Sequence, residues 1–284
     1  MGSHRVEVGL MLRKALLTSN LLYSAEAWSD VSESEIKHLE QVDSALIKGL
    51  VKGHSKTATV FHYLETGALM LRHILRINRL MYHHHIVNLG EEETVKKIYE
   101  KQKQDSFKGD WIQLIKQDFA FMGIDMNEDE IKNTPKEIYR KKIKTLVNKA
   151  AFQELLEEKK KLSKIKNIKY DSYDIQPYLK SNVFTSEERN LLYALRSRMH
   201  PAKLNFKKMH SNNLYCSYGC LAKEDQRHLF QECSRLDSKD KEDVYDFIFQ
   251  NTGRQKKAVS AYIQIERRRK EINSAEVFLN NNIL

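Results

Sequence analysis

Turn-forming residues are scarce in this chain. Ten glycines and three prolines punctuate 284 residues, under half of what average usage, about 12%, would supply. A sandwich or barrel needs a turn signal roughly every 8–12 residues, whereas long helices do not. The apolar residues agree: Val8, Met11, Leu12, Ala15, Leu16, Ser19, Leu22 and Tyr23 recur at helical spacing. This pattern predicts a first helix that buries that stripe.

Start signals place the helices that follow. Ser32 and Glu35 have the spacing of a capping box, with Val31 and Ile36 placed for a hydrophobic staple. The predicted helix carries Ile36, Leu39, Val42, Leu46, Ile47 and Leu50 and stops around Gly53. A third helical run is expected to break near Gly67 and to continue through Leu71, Ile74, Leu75, Met81 and Val87. These three elements form one helical unit over residues 1–90. Glu91, Glu92 and Glu93 mark a solvated break. Beyond it, Trp111, Leu114, Ile115 and Phe119 predict a short amphipathic helix, and Asn127 can cap the next. Thr134, Pro135 and Glu137 read as cap, first-turn proline and capping-box acid. Thr185 and Glu188 repeat the box before Leu191, Leu192 and Leu195. The expected fold is all-α: an elongated multi-helix array with a small cysteine-rich module near its end.

The lean, charged composition adds direction. Lys and Arg number 48 against 38 acids, a formal net charge of +10, which suits a polyanionic partner. No stretch approaches the ~18 uncharged apolar residues of a membrane span, the N-terminus lacks a signal-peptide layout, and no membrane partner is expected. All three cysteines lie in one short window with a histidine between the second and third: Cys216, Cys220, His228 and Cys233, spaced C-x3-C-x7-H-x4-C. Three thiolates and an imidazole satisfy a structural zinc ion and leave no open position for a catalytic water. The competing reading is three buried cysteines acting as small hydrophobes beside an ordinary histidine.

Two basic patches are candidate phosphate contacts. Arg72, Arg76, Arg79 and His83 step by four, three and four along the third helical run. Arg196, Arg198, Lys203, Lys207 and Lys208 contain no intervening acid and carry Phe206 for stacking, a combination suited to single strands. Each patch can also be a solvated helix face. Lys159, Lys160, Lys161, Lys164 and Lys166, and the run Arg267 to Lys270, read as solvated. His83, His84 and His85 cannot converge on one ion, because neighbours on a helix point about 100° apart. Trp28 and Trp111 read as core anchors, and Glu26 and Glu65 as partners of helix ends or cations.

The order of short motifs is similar to a known family. Leu21-Leu22-Tyr23-Ser24-Ala25-Glu26-Ala27-Trp28 is followed by Leu39-Glu40-Gln41-Val42-Asp43 and Tyr63-Leu64-Glu65-Thr66-Gly67. Then come Lys108-Gly109-Asp110-Trp111, Tyr178-Leu179, Leu195-Arg196-Ser197-Arg198 and the CCHC window. This succession resembles the C-terminal region of the endonuclease–reverse transcriptases of non-LTR (LINE-like) retrotransposons. The resemblance implies a thumb-like unit over 1–90, a helical connector over 91–209, a CCHC zinc knuckle over 210–236 and a helical tail over 237–284. It implies RNA and DNA as partners, gripped during target-primed reverse transcription, with an upstream polymerase palm completing the enzyme. It places the protein in the nucleus, or in the cytoplasm as a ribonucleoprotein.

The chain departs from the family's catalytic parts. It contains no Asp-Asp dipeptide for a polymerase palm and no Pro-Asp motif for a nuclease, and the stretch after Cys233 is short for such a domain. The expectation is a nucleic-acid-binding fragment without its own catalytic residues. The alternative is a co-opted fragment serving as a helical protein-interaction adaptor.

Overall fold

The structure is a computed structural model that describes residues 5–29, 31–105, 110–200, 202, 214–235 and 244–281. Among them the fold is all-α, with no strand beyond one isolated antiparallel bridge between Tyr215 and Lys223. The chain opens with α1 (Arg5–Leu12), which runs through a π-helical stretch, Arg13–Thr18, into α2 (Ser19–Leu21). Then come α3 (Glu33–Leu50), α4 (Thr59–Thr66), α5 (Leu71–Val87), α6 (Thr94–Asp105), α7 (Trp111–Phe121) and α8 (Glu128–Asn133). The long α9 (Lys136–Lys160) leads to the short α10 (Pro177–Lys180) and to α11 (Ser186–Arg196). A second π-helical turn, His228–Glu232, precedes α12 (Val244–Phe247) and α13 (Thr252–Asn281).

The predicted start signals operate as local chemistry requires. Both capping boxes are made: Ser32 with Glu35 and Thr185 with Glu188. Asn127 accepts the Glu130 amide. One start differs from expectation. Pro135, not Thr134, occupies the N-cap of α9, because Thr134 closes α8 and donates its hydroxyl back to the Glu130 carbonyl. The break after α4 falls at Gly67, with φ +60°. A Cβ there would lie 2.6 Å from the Asp174 backbone, so both the turn and the close approach require glycine.

Two hydrophobic cores organise the packing, and they cut across the chain order. The first joins Ile47, Phe61 and Leu64 to Leu155, Tyr178, Leu192, Ile248 and Tyr262. The second joins Ile77 and Leu80 of α5 to Trp111, Ile115, Phe119, Ile143 and Val147. Residues before 90 thus share a core with residues beyond 237, because α4 and α11 pack where α13 also docks. Helix α9 belongs to both cores. Its buried side chains, Tyr139, Ile143, Val147, Ala151, Leu155 and Lys159, fall every fourth residue, and helical rows at that spacing form one ridge.

The first helix is turned opposite to expectation. Val8, Met11, Leu12, Leu16 and Tyr23 are exposed, whereas Val6, Arg13 and Thr18 face inward; of the predicted stripe, Leu22 is buried as expected. The reason is electrostatic. Asp43 of α3 is fully buried and takes a two-pronged contact from Arg13, at 2.5 and 2.6 Å, plus the Tyr63 hydroxyl at 2.8 Å. Pairing that carboxylate fixes which face of α1 points in, since an unpaired buried charge is far costlier than exposed apolar surface. Val42 of α3 is exposed for the same reason, while Glu40 and Asp43 are buried.

The arginines of α5 are also committed to ion pairs, Arg79 buried and Arg72 and Arg76 half-buried. Arg72 meets Glu40 (2.8 and 2.5 Å), and Arg76 and Arg79 close on Asp118 of α7 (3.2 and 2.7 Å). Arg79 is only 8% exposed. These three residues therefore tie α3, α5 and α7 together instead of presenting a phosphate-tracking face. Lys159 is likewise not solvated: it extends the α9 ridge and donates to the Lys166 and Ile168 carbonyls, and burial lowers its pKa.

Candidate metal centre

The metal loop begins where Tyr215 and Lys223 bridge, with the Cys216 amide donating to the Ala222 carbonyl at 2.9 Å. Between them Gly219 adopts φ +79° and donates to the Cys216 carbonyl, a turn that brings Cys220 back beside Cys216. The second pair of donors comes from the π-turn. The Cys233 amide donates to the His228 carbonyl at 2.9 Å, an i to i+5 bond that widens the helix by one residue. A five-residue separation, which overshoots an α-turn, then places His228 and Cys233 side by side. Asp225 caps the turn by accepting the His228 amide at 2.7 Å.

All four ligand atoms lie within 4.8 Å of one another. The Cys216–Cys233 and Cys220–Cys233 sulfur separations are 3.7 and 3.9 Å, and His228 Nε2 lies 3.1 Å from the Cys220 sulfur. Sulfurs about 2.3 Å from the centre of a tetrahedron stand about 3.8 Å apart, so the sulfur separations match its edges. They are far beyond a disulfide bond, and the three cysteines are free. Burial pushes the Cys216 thiol up to about 12; a cation among the donors reverses that preference by stabilising thiolates. The four predicted ligands thus converge into a cluster that could hold a metal ion.

A second set of residues holds the loop, and sequence reasoning missed it. Glu224 is fully buried. It accepts the Ser217 amide and hydroxyl at 2.9 and 2.6 Å, and Arg269 of α13 at 3.0 Å. Tyr218 donates to the Ile265 carbonyl at 2.8 Å, and Gln226 donates to the Leu195 carbonyl at 3.2 Å. The loop is therefore clasped between α11 and α13. Arg269, read as solvated, is instead a strut of this clasp. The Asp225-x-x-His228 spacing is a legible capping pattern, but nothing local marks Glu224 and Arg269 as partners.

The remaining candidates separate. Arg196 is 3% exposed and is withdrawn from any surface role: Glu65 takes its Nε and Nη2, and the Ile248 carbonyl its Nη1. Tyr170 and Tyr178 complete the Glu65 carboxylate at 2.6 and 2.7 Å. Burial and the Glu65 charge push both phenols well above their ordinary range. Arg198 is half-buried at the end of α11. Lys203, Phe206, Lys207 and Lys208 lie outside the described residues. His83 and His84 diverge, to the Tyr99 hydroxyl and the Thr134 carbonyl. Trp111 is a core anchor whose ring nitrogen donates to the Glu26 carbonyl at 2.8 Å.

No protein-family model, curated protein or solved structure matches this chain. Among the described residues, no helix is long and apolar enough to cross a membrane.

Proposed function

We propose that this chain is a nucleic-acid-binding helical fragment of the non-LTR reverse-transcriptase type, closed by a structural zinc knuckle. The observation that carries the reading is the distribution of charge on the metal loop. Two of its three acids are used internally: Glu224 is buried against Arg269, and Asp225 caps the ligand-bearing turn, whereas Glu232 is exposed beside Arg227 at 3.5 Å. Its cations, Lys223, Arg227 and Arg235, are exposed, together with Tyr215 and Leu221, which is 93% exposed. A positive surface carrying an exposed aromatic suits unpaired bases and their phosphates. Zinc is the favoured ion because three soft thiolates and one imidazole at tetrahedral spacing suit it and leave no vacant position. Among the chain's own residues, Cys216, Cys220, His228 and Cys233 would hold it, and its contribution is to fix the loop.

The reading supports gripping of template RNA or target DNA, with the chemistry supplied by an upstream palm, in a nuclear setting. The experiment is a titration of labelled single-stranded RNA and DNA against the full chain at rising salt, with metal content measured in parallel. Affinity that falls steeply with salt, with about one zinc per chain, supports it. Salt-independent or absent binding overturns it, and primer extension by this chain alone overturns the non-catalytic part. A second reading, a helical adaptor, is favoured by the exposed Val8, Met11, Leu12, Leu16 and Tyr23 along the first helix, since apolar stripes in water often mark partner surfaces. Protein capture through that stripe without nucleic-acid affinity would select it.

A further inference from the structure

A cleft opens between the connector that follows α9, the short helix α10 and the start of α13. It encloses about 790 Å³, and its walls include Lys169, Gln176, Lys180, Phe249, Thr252 and Gln255. Clefts that bind drug-sized molecules span about 300–1,000 Å³, a range that accommodates a nucleotide.

The start of α13 brings donors to this cleft. Asn251 caps the helix by accepting the Arg254 amide at 3.0 Å, and the Thr252 and Gly253 amides before it have no acceptor within the helix. They stand at the positive end of a 30-residue helix, a place that favours a phosphate. Gln255 carries the opposite need. It is 5% exposed, and its Nε2 faces the Ile248 carbonyl at 3.4 Å, an oxygen that Arg196 also takes at 2.9 Å. Its Oε1 is enclosed and has no hydrogen-bond partner among the described residues. A buried acceptor without a donor is costly, and an apolar side chain at this position would serve the helix equally well. The glutamine is accounted for by a donor that comes from outside the chain.

The charge of the cleft is mixed. Asp171 and Asp174 line it beside Lys169 and Lys180, and Asp174 is held by Lys180 at 2.8 Å and by the Ile175 amide at 2.7 Å. Such walls suit a ligand with one anionic group and several hydroxyl or amino donors, and the half-buried Phe249 adds apolar surface for a ring.

We propose that this cleft holds one nucleotide of a single strand, its phosphate at the start of α13 and a base or sugar donor on Gln255 Oε1. The proposal rests on the nucleic-acid-binding function above and gives the helical body a nucleotide site of its own. That site lies roughly 25 Å along α13 from Arg269 and the metal loop.

The test titrates the full chain with adenosine monophosphate, adenosine and inorganic phosphate, followed by calorimetry. The monophosphate should bind saturably and more tightly than adenosine or phosphate alone. Gln255→Met should weaken it about 5- to 10-fold, while the thermal midpoint holds or rises because an unmet buried acceptor is gone. Lys169→Gln alters only an exposed side chain; it should weaken the monophosphate about 2- to 5-fold and leave adenosine unmoved. Labelled single-stranded RNA should displace the monophosphate. Absence of saturable binding overturns the proposal, as does an affinity that neither variant moves. A lowered midpoint of Gln255→Met with unchanged affinity also overturns it, because the amide would then be structural. RNA bound alongside the monophosphate overturns the assignment to a strand. Salt-dependent RNA binding that survives these failures leaves the function proposed above standing, whereas absent RNA binding overturns that function whatever the cleft does.

Discussion

In the helical body, arginines turn inward to meet carboxylates: Arg13 with Asp43, Arg79 with Asp118, Arg196 with Glu65. In the metal loop two of the three carboxylates turn inward, Glu224 to Arg269 and Asp225 to the backbone, while Lys223, Arg227 and Arg235 face water and Glu232 stays outside beside Arg227. The two regions therefore handle charge by opposite rules. Counting bases along the chain locates positive surface poorly; what matters is which sign the fold withdraws. The loop becomes basic by hiding two of its three acids, and the body hides much of its basicity in ion pairs. The regions also differ in what holds them. The body has two extended apolar cores, whereas the loop's own cluster contains little beyond Cys216, Tyr218, Leu229 and Cys233.

Removing the metal should break this comparison most sharply. Structural zinc contributes on the order of 10–16 kcal/mol of binding free energy to sites that form only on folding. Chelation, or Cys233→Ser, should open residues 214–235 while most of the helical signal survives. Trypsin cleavage at Lys223 and Arg227, followed alongside far-ultraviolet circular dichroism, measures both regions at once. Simultaneous collapse of the two signals would show that the body depends on the loop.

Arg196→Ala should produce the next effect, on the body. Glu65 would be left fully buried without its counter-ion, and breaking such a pair costs about 3–5 kcal/mol. Urea unfolding reads this directly. Pairing Arg196→Met with Glu65→Gln should recover much of the loss, because no buried charge remains. A small effect of Arg196→Ala would mean that Tyr170 and Tyr178 suffice to hold the carboxylate.

Acid should weaken the body in a defined direction. Burial, aided by neighbouring cations, lowers the pKa of His62 and His200 to about 3 and of His83 to about 4. The folded protein keeps these rings neutral, whereas the unfolded chain takes up protons near pH 6.5. Stability is thus complete above about 6.5 and falls as pH drops toward 4, by up to about 1.4 kcal/mol per unit for each histidine. Acid also protonates metal ligands, so urea midpoints at pH 7, 6 and 5 should be measured on metal-stripped protein. A flat series would contradict the buried neutral state of the three rings.

Legibility of the sequence follows the range of the interaction. Helix starts at Ser32, Asn127 and Thr185 and the stop at Gly67 were readable, because cap and partner sit within a few residues. The metal cluster was readable because zinc donors have characteristic spacing, and the x4 interval fits the π-turn that joins His228 to Cys233. The faces of α1 and α5 were not. Asp43, Glu40 and Asp118 reorient them, and those carboxylates lie 30 to 42 residues from the arginines they pair with. Lys159 was the exception: its place at the end of a fourfold series from Tyr139 marked it as buried, and its charge concealed the signal.

The smallest effect tests the reversed helix at the start of the chain. Leu16 is 60% exposed, so Leu16→Lys should change stability by no more than about 0.5 kcal/mol. The neighbouring Arg13→Ala should cost about 3–5 kcal/mol by stranding Asp43. An apolar pattern read without the carboxylate predicts the reverse order. If Leu16→Lys proved the more damaging, the stripe of Val8, Met11, Leu12 and Leu16 would be covered in solution. Sedimentation equilibrium would then show whether a second copy of the chain covers it. A monomer indifferent to Leu16 but intolerant of Arg13→Ala would establish that a buried ion pair, and not the apolar stripe, sets the orientation of α1.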